Sequence, residues 1–328
     1  MLFDNHGRKI DYLRLAVTDR CNLRCFYCMP EDGIDFVNRS SLMTYEEMIR
    51  VVSLFAGLGI KKVRITGGEP FVRKDLLLFM SELSRIPGVE DLHLTTNGTL
   101  ISKVVDQLKD MGVSSVNLSI DSLNKERFTA ITRRDTFDQV MESFDQLLAH
   151  NIPTKLNMVV MAGKNQEDII EMIELTKDLD ISVRFLEEMP FNGEGKRDDV
   201  QFWNADDILS FIKSRYPEIH KLEDPPHSTS KNYKVPRYQG SFGIIASYSR
   251  LFCGTCNRIR LTPTGVLKTC LYDNGVFNIR DLIRNGASDE ILITTLKEAL
   301  GNRAKDGFEA EKRRADHLIS ESMATIGG

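Results

Sequence analysis

Over the first two-thirds of the chain, short apolar or β-branched runs alternate with longer stretches in which apolar residues recur every three to four positions. The runs at 11–18, 62–66, 91–95, 115–120, 154–161 and 182–186 predict six strands, apolar enough to lie buried in a parallel sheet. Helices are predicted over 44–58, 75–85, 102–111, 137–150, 166–179 and 205–215. The first opens with Thr44 and carries Glu47 three residues later, the signature of a capping box. Gly59, Gly88 and Gly112 fall just after helices or before strands, where a left-handed residue ends a helix. Six β-then-α units predict an α/β fold with a parallel sheet, either doubly wound or curved towards a barrel. Six are too few to close an eight-stranded barrel, and in either shape the site belongs at the carboxyl ends of the strands.

The pattern changes near Tyr216, which sets a first region at 1–216 and an extension at 217–328. An irregular connection at 223–237 holds three prolines. Strand-like pieces follow at 242–247 and 259–267, the second interrupted by Pro263-Thr264-Gly265. Helices at 279–284 and 289–300 precede a charged tail that ends in Gly327-Gly328.

With 328 residues, 41% hydrophobic and 27% charged, the chain has the composition of a globular enzyme and excludes a disordered or collagenous one. Forty-three basic residues against 47 acidic ones disfavour nucleic acid as the main partner. No apolar run approaches the ~18 residues of a membrane span, and residues 1–9 lack the apolar core of a signal peptide. The expectation is a cytoplasmic protein with no membrane partner.

All six cysteines fall into two triplets, Cys21, Cys25, Cys28 as C-x3-C-x2-C and Cys253, Cys256, Cys270 as C-x2-C-x13-C. Disulfides would need pairing across some 230 residues and an oxidising compartment, so metal or redox sites are the better reading. Three close thiolates suit a structural zinc or an iron–sulfur cluster. Zinc wants a fourth ligand, whereas three ligands on a four-iron cube leave one iron open for a substrate. No histidine lies between Cys256 and Cys270, so the second triplet also leaves an open position. Arg258 and Arg260 sit two apart beside it and on an extended segment face the same way.

The run Cys21-Asn-Leu-Arg-Cys-Phe-Tyr-Cys28 resembles the signature of radical S-adenosylmethionine enzymes, and Gly67-Gly68-Glu69-Pro70 follows the second strand as that superfamily's GGEP motif does. Glycines there would let the backbone approach a ligand closely. The resemblance narrows to the GTP 3′,8-cyclase family through Leu13-Arg14-Leu15-Ala16-Val17-Thr18-Asp19-Arg20-Cys21, Thr95-Thr96-Asn97-Gly98, Asn117-Leu118-Ser119-Ile120-Asp121 and Arg184-Phe185-Leu186-Glu187. Cys253-Gly-Thr-Cys256-Asn-Arg258-Ile-Arg260 and the terminal Gly327-Gly328 match it too.

The resemblance implies a partial (βα)6 TIM-type barrel with a C-terminal extension carrying a second iron–sulfur cluster. It implies that Cys21, Cys25 and Cys28 hold one [4Fe–4S] cluster and Cys253, Cys256 and Cys270 another. Tyr27, Gly68, Ser119 and Met189 fall where the family contacts S-adenosyl-L-methionine. Arg14, Arg64, Thr95, Lys155, Arg258 and Arg260 fall where it binds GTP, and a triphosphate is expected to call for several cations. The implied reaction is a lyase-type cyclisation that opens molybdenum cofactor synthesis. A 5′-deoxyadenosyl radical takes the C3′ hydrogen of GTP, and C3′ then adds to C8. Arg184 is a candidate for assisting the last reduction, and Gly327 and Gly328 enter the site beside Arg258 and Arg260. The family further implies a flavodoxin- or ferredoxin-like reductant, delivery of product to cyclic pyranopterin monophosphate synthase, and a homodimer.

Two competitors have different consequences. A peptide-modifying relative usually carries more C-terminal cysteines and lacks the paired arginines and the Gly-Gly end. A zinc-stabilised binding module would account for the cysteines but not for GGEP. His93, His150, His220, His227 and His317 read as ordinary polar or part-buried histidines, Trp203 as packing, and Glu187 and Glu188 as strand-end charges without an assigned role.

Overall fold

The computed structural model describes residues 1–191, 202–314 and 321–327. Six strands, β1 Tyr12–Ala16, β2 Lys62–Thr66, β3 Asp91–Thr96, β4 Ser115–Ser119, β5 Thr154–Val160 and β6 Ser182–Glu187, pair side by side in chain order, all parallel. Around them run α1 Tyr45–Gly57, α2 Leu76–Ser84, α3 Val105–Asp110, α4 Lys125–Thr132, α5 Phe137–Ala149, α6 Asp168–Asp178 and α7 Ala205–Arg215. The capping box at Thr44 is formed: Glu47 N–H donates to Thr44 Oγ1 at 3.2 Å, and Thr44 N–H donates to Glu47 Oε2 at 2.8 Å. The helix expected over 102–111 begins as a 3-10 turn at Ser102–Val104 before α3. Helix α4 lacks a sequence prediction because only Phe128, Ile131 and Thr132 of it are buried, too few to show a period. Asn124, whose side chain accepts from Arg127 N–H at 2.8 Å, was its one legible signal.

The region after 216 does not stand apart. It contributes β7 His220–Lys221, β8 Ser230–Lys234, β9 Ser241–Ile245, β10 Arg258–Leu261, β11 Val266–Lys268 and β12 Phe277–Asn278. Strand β9 adds in parallel to β6, with Gly243 opposite Arg184, and β10 adds in parallel to β1, with Arg260 opposite Arg14. The sheet order is therefore β12-β11-β10-β1-β2-β3-β4-β5-β6-β9-β8-β7, an open barrel lengthened at both edges by the extension. The rest of the extension is α8 Ile279–Arg284, α9 Asp289–Gly301, α10 Gly307–Lys312 and α11 Met323–Ile326.

Along each central strand, the residues facing the helices are apolar and buried: Leu13 and Leu15, Val63 and Ile65, Leu92 and Leu94, Val116 and Leu118. Each such side chain contributes about 1.5–3 kcal/mol by leaving water. The residues between them (Arg14, Arg64, His93, Thr95, Asn117, Ser119) are polar, so the strands are not apolar on both faces as the runs suggested. A cavity on the concave face is the reason. A second, smaller core of Phe191, Tyr272, Ala304, Ala310 and Ile326 packs against Met189, Cys270 and Met323, seating the tail helix α11 over the second cysteine segment. No helix among the described residues is long and apolar enough to cross a membrane.

Candidate active site

The concave face encloses a cavity of about 540 Å³. All six cysteines line it, as do Tyr27, Gly68, Ser119, Met189, Arg14, Arg64, Thr95, Lys155, Arg184, Arg258 and Arg260. The strand period of two delivers this: residues 12 and 14, then 62, 64 and 66, then 258 and 260 all point inward. Gly327 meets the site through its carbonyl, which accepts from Arg260 Nη1 at 2.8 Å and Arg14 Nη2 at 3.5 Å. Its φ is +75°, and a Cβ there would stand 2.8 Å from the Ala16 Cβ, so this position demands glycine. Gly328 lies outside the described residues, as does His317.

At one end, the loop after β1 carries Cys21, Cys25 and Cys28. It is anchored by Cys28 N–H donating to Cys25 O at 2.9 Å and Ser322 Oγ of the tail donating to Cys28 O at 2.7 Å. Asn97 Nδ2 stands 3.7 Å from Cys21 Sγ. Gly67 and Gly68 line the cavity and have a further task besides. A Cβ on Gly67 would sit 2.5 Å from Thr18 O, and one on Gly68 2.3 Å from Arg20 O. The glycines thus admit the backbone of the cysteine loop itself, which Gly68 N–H and Glu69 N–H hold by bonds of 2.9 and 2.8 Å. Glu69 is fully buried and accepts from Thr96 Oγ1 and Asn97 N–H, with burial pushing its carboxyl up to about 7. Tyr27 donates to Asp121 Oδ2 at 2.8 Å, and burial raises Asp121 to about 6.

The middle of the cavity is cationic. Arg64 is buried and donates to Tyr12 Oη at 2.5 Å and to Leu94 O at 2.9 Å. Burial would raise the Tyr12 phenol, but Arg64, Arg14 and Arg258 together bring it down to about 8. Burial, then Arg184 and Arg64, lower Lys155 to about 8; burial, then Arg258, lower Arg260 to about 10. Burial also lowers Arg184 to about 10, and its guanidinium donates to Asn232 Oδ1, whose amide is fixed by Asp224 at 2.8 Å. These cations repel one another across shared space and are poised for an anion of several charges. The two carboxylates among the described lining residues face elsewhere: Asp121 takes Tyr27 and Val159 N–H, and Glu187 takes Ala205 N–H and Ser249. Glu187, left without a role by the sequence, is thus a tie between β6, α7 and the chain leading to Cys253.

At the other end, Cys253 and Cys256 bracket the turn Cys253–Thr255, and Cys270 follows β11, its N–H donating to Asp273 Oδ2 at 2.8 Å. Burial opposes ionisation of Cys256, yet the adjacent Arg258 and Arg303 pull it down to about 6. Arg258 also lies 5.2 Å from the Phe252 ring centroid.

The donor chemistry fits two iron–sulfur centres. All six thiols are free. In the first triplet burial, then Glu69, push Cys21 up to about 12, burial pushes Cys28 up to about 11, and burial, then Asp121, push Cys25 well above the ordinary thiol range. Thiolates crowded there need a cationic centre. No group of three or more His, Cys, Asp or Glu among the described residues is arranged to hold a single metal ion. The cavity also keeps buried polar atoms without protein partners: Asn117 Oδ1, Asn157 Oδ1 and Arg258 Nη2. Such atoms normally find a partner, which a polar ligand would supply. Sequence reasoning missed Tyr12, Asn117, Asn157 and Arg303, whose signal was only an inward strand position or, for Arg303, none. It also treated His93 as ordinary, although His93 lines the cavity, with Nδ1 2.8 Å from Ser115 Oγ and burial, then Arg64, holding it near 3. Trp203 packs on Phe211, ring centroids 5.4 Å apart, as expected.

Comparison with known proteins adds to this geometry. Residues 15–176 match the model of the radical SAM superfamily, and residues 181–308 match that of Molybdenum Cofactor Synthesis C. The chain is 39% identical over 331 residues to the GTP 3′,8-cyclase of Clostridium perfringens, covering 99% of each. It is 42% identical over 304 residues to molybdenum cofactor biosynthesis protein 1 of Dictyostelium discoideum, covering 92% of this chain and 48% of that one. The chain therefore spans about half the length of several curated relatives it matches. In fold it is similar to Streptococcus suis SuiB bound to S-adenosylmethionine, with a TM-score of 0.60 at 14% identity, over 84% of this chain and 64% of that one.

Proposed function

Since this chain belongs to the GTP 3′,8-cyclase family of radical S-adenosylmethionine enzymes, we propose that it converts GTP to 3′,8-cyclo-7,8-dihydro-GTP, the first step of molybdenum cofactor synthesis. The observation that carries this reading is one cavity holding both cysteine triplets with a cluster of mutually repelling cations between them. Bound at the triplets, two [4Fe–4S] clusters, with S-adenosylmethionine at the first, supply a 5′-deoxyadenosyl radical and a reducing electron.

Everything else falls to the chain. Arg14, Arg64, Lys155 and Arg260 hold the triphosphate and set C3′ towards the first triplet. Arg258, with its unpartnered Nη2, meets the base near the second triplet. Loss of the C3′ hydrogen lets that carbon bond to C8, and one electron and one proton complete the product. Arg184 keeps its proton near neutrality, so it stabilises the charge that the added electron leaves on the ring nitrogen next to C8 rather than releasing a proton. The enclosed cavity keeps water and oxidants from the reacting carbons. We place the enzyme in the cytoplasm as a homodimer, reduced by a small flavodoxin- or ferredoxin-like protein and handing product to a cyclic pyranopterin monophosphate synthase.

Anaerobic turnover with dithionite, S-adenosylmethionine and 3′-deuterated GTP tests this reading. Deuterium in 5′-deoxyadenosine, formed only with GTP, is the expected result. Unlabelled deoxyadenosine, formed without regard to GTP by protein with both clusters intact, would retain the superfamily and remove the cyclase.

A further inference from the structure

The N-terminal strap reaches the second triplet, 245 residues separating Arg8 from Cys253. Asp4 is fully buried at its side chain and binds two arginines at once: Arg8 Nε at 2.6 Å and Arg303 Nη1 at 3.2 Å. Its other oxygen accepts from the backbone N–H of His6 and of Arg8, each at 2.9 Å. The two arginines then divide the second cysteine segment between them. Arg8 Nη1 donates to Cys253 O at 2.9 Å, while Arg303 Nη1 donates to Cys256 O at 3.0 Å. Arg303 Nη2 donates to Cys256 Sγ at 3.3 Å and to Arg258 O at 2.9 Å. One guanidinium, 3% exposed, therefore grips a thiol ligand, its carbonyl and the residue that faces the substrate.

A hydrogen bond to a cysteine sulfur and a nearby positive charge both favour the reduced, more negative state of an iron–sulfur centre. A planar fork pinned by a buried carboxylate holds that bond at fixed geometry. We propose that Arg303, oriented by Asp4 and seconded by Arg8, is a positioning residue that raises the reduction potential of the second cluster and fixes Arg258 beside it. This rests on the reading that Cys253, Cys256 and Cys270 hold a cluster. The other two thiols of the second triplet meet backbone donors instead, Cys253 that of Gly307 and Cys270 that of Tyr272, so the guanidinium contact is particular to Cys256 among the three.

The test uses the full chain with Cys21, Cys25 and Cys28 each changed to Ala, so that only the second cluster titrates. Iron and acid-labile sulfide are measured first, then the midpoint potential by electron paramagnetic resonance. Arg303→Gln is expected to lower the potential by about 59 mV, a tenfold shift in the one-electron equilibrium. Arg303→Lys keeps the charge without the fork and is expected to fall between Gln and the unaltered residue. If Arg303→Gln takes up no iron, the Lys variant decides alone: a lowered potential supports the clamp. A Lys variant at the original potential, with iron bound, overturns the hydrogen-bond role. No iron–sulfur centre in the alanine background, with Arg303 intact, would instead remove the cluster reading on which the clamp depends.

Discussion

The two cysteine ends of the cavity share a donor set and differ in what surrounds it. Around the first triplet stand Glu69 and Asp121, carboxyls that burial holds near 7 and 6, and the thiols lie well above the ordinary range. Around the second stand Arg258 and Arg303, which bring Cys256 down to about 6 although burial pushes the other way. Opposite-sign neighbours favour opposite ligands. The acidic end suits a sulfonium with a free amine, and the cationic end, continuous with Arg14, Arg64 and Lys155, suits a nucleoside triphosphate. The lesson is that cysteine spacing fixes what kind of centre can form, while the side chains behind it decide which substrate meets it.

The largest effect that could break this comparison comes from the thiols themselves. Replacing Cys21, Cys25 and Cys28 by Ala, or Cys253, Cys256 and Cys270, is expected to halve bound iron and sulfide in each case and to abolish cyclisation. The two sets should part on a second readout. The variant lacking the first triplet should form no 5′-deoxyadenosine, whereas the one lacking the second should still cleave S-adenosylmethionine slowly, without taking deuterium from GTP. If both behaved alike in cleavage, the ends would not be functionally distinct.

A smaller effect sharpens the electrostatic half. Arg260 is half-buried among other arginines and repelled by Arg258, so Arg260→Leu removes a charge that the free protein holds at a cost. Its melting temperature is expected to stay level or rise, despite the lost bond to Gly327 O. GTP binding should weaken by roughly 30-fold or more, in line with a loss of ~2 kcal/mol for a buried hydrogen-bonded charge. Affinity for S-adenosylmethionine should be unchanged by calorimetry. A parallel loss of both affinities would mean that the two ligands share Arg260.

Much of this was legible in the residues. The six βα units came from periodicity, and both triplets and the inward pair at 258 and 260 came from spacing. Three things were not. The extension looked separate because its strands are short and split by prolines, yet β9 and β10 each add in parallel to an edge of the first sheet. The second reason for glycine at 67 and 68 was hidden because a sequence does not show that the chain at 18–20 passes so close that a Cβ there would collide with it. Asp4, Arg8 and Arg303 meet across some 300 residues, and no local pattern marks a contact of that separation. Local rules read what is repeated along the chain; the lengthening of the sheet at its edges and the straps across it depend on contacts that are not.

The smallest effect is a proton. Lys155 sits at about 8 in the folded protein because of burial and then Arg184 and Arg64, against ~10.4 for an unperturbed lysine. Between those values the unfolded chain binds more protons, so stability rises with pH across that window; below about 8 the full repulsion is present. An arriving triphosphate reverses the balance by favouring the charged amine. Above pH 8, GTP binding must therefore draw a proton onto Lys155, and affinity must decline as pH rises from there. Titration calorimetry at pH 8.5 in buffers of differing ionisation enthalpy should show uptake of roughly half a proton beyond that of Lys155→Met. Equal uptake by both proteins would place the phosphates away from β5 and assign the cationic end to Arg14, Arg64 and Arg260 alone. S-adenosylmethionine, held at the acidic end, should show no such difference between the two proteins, which is what makes the proton a test of the comparison and not of Lys155 only.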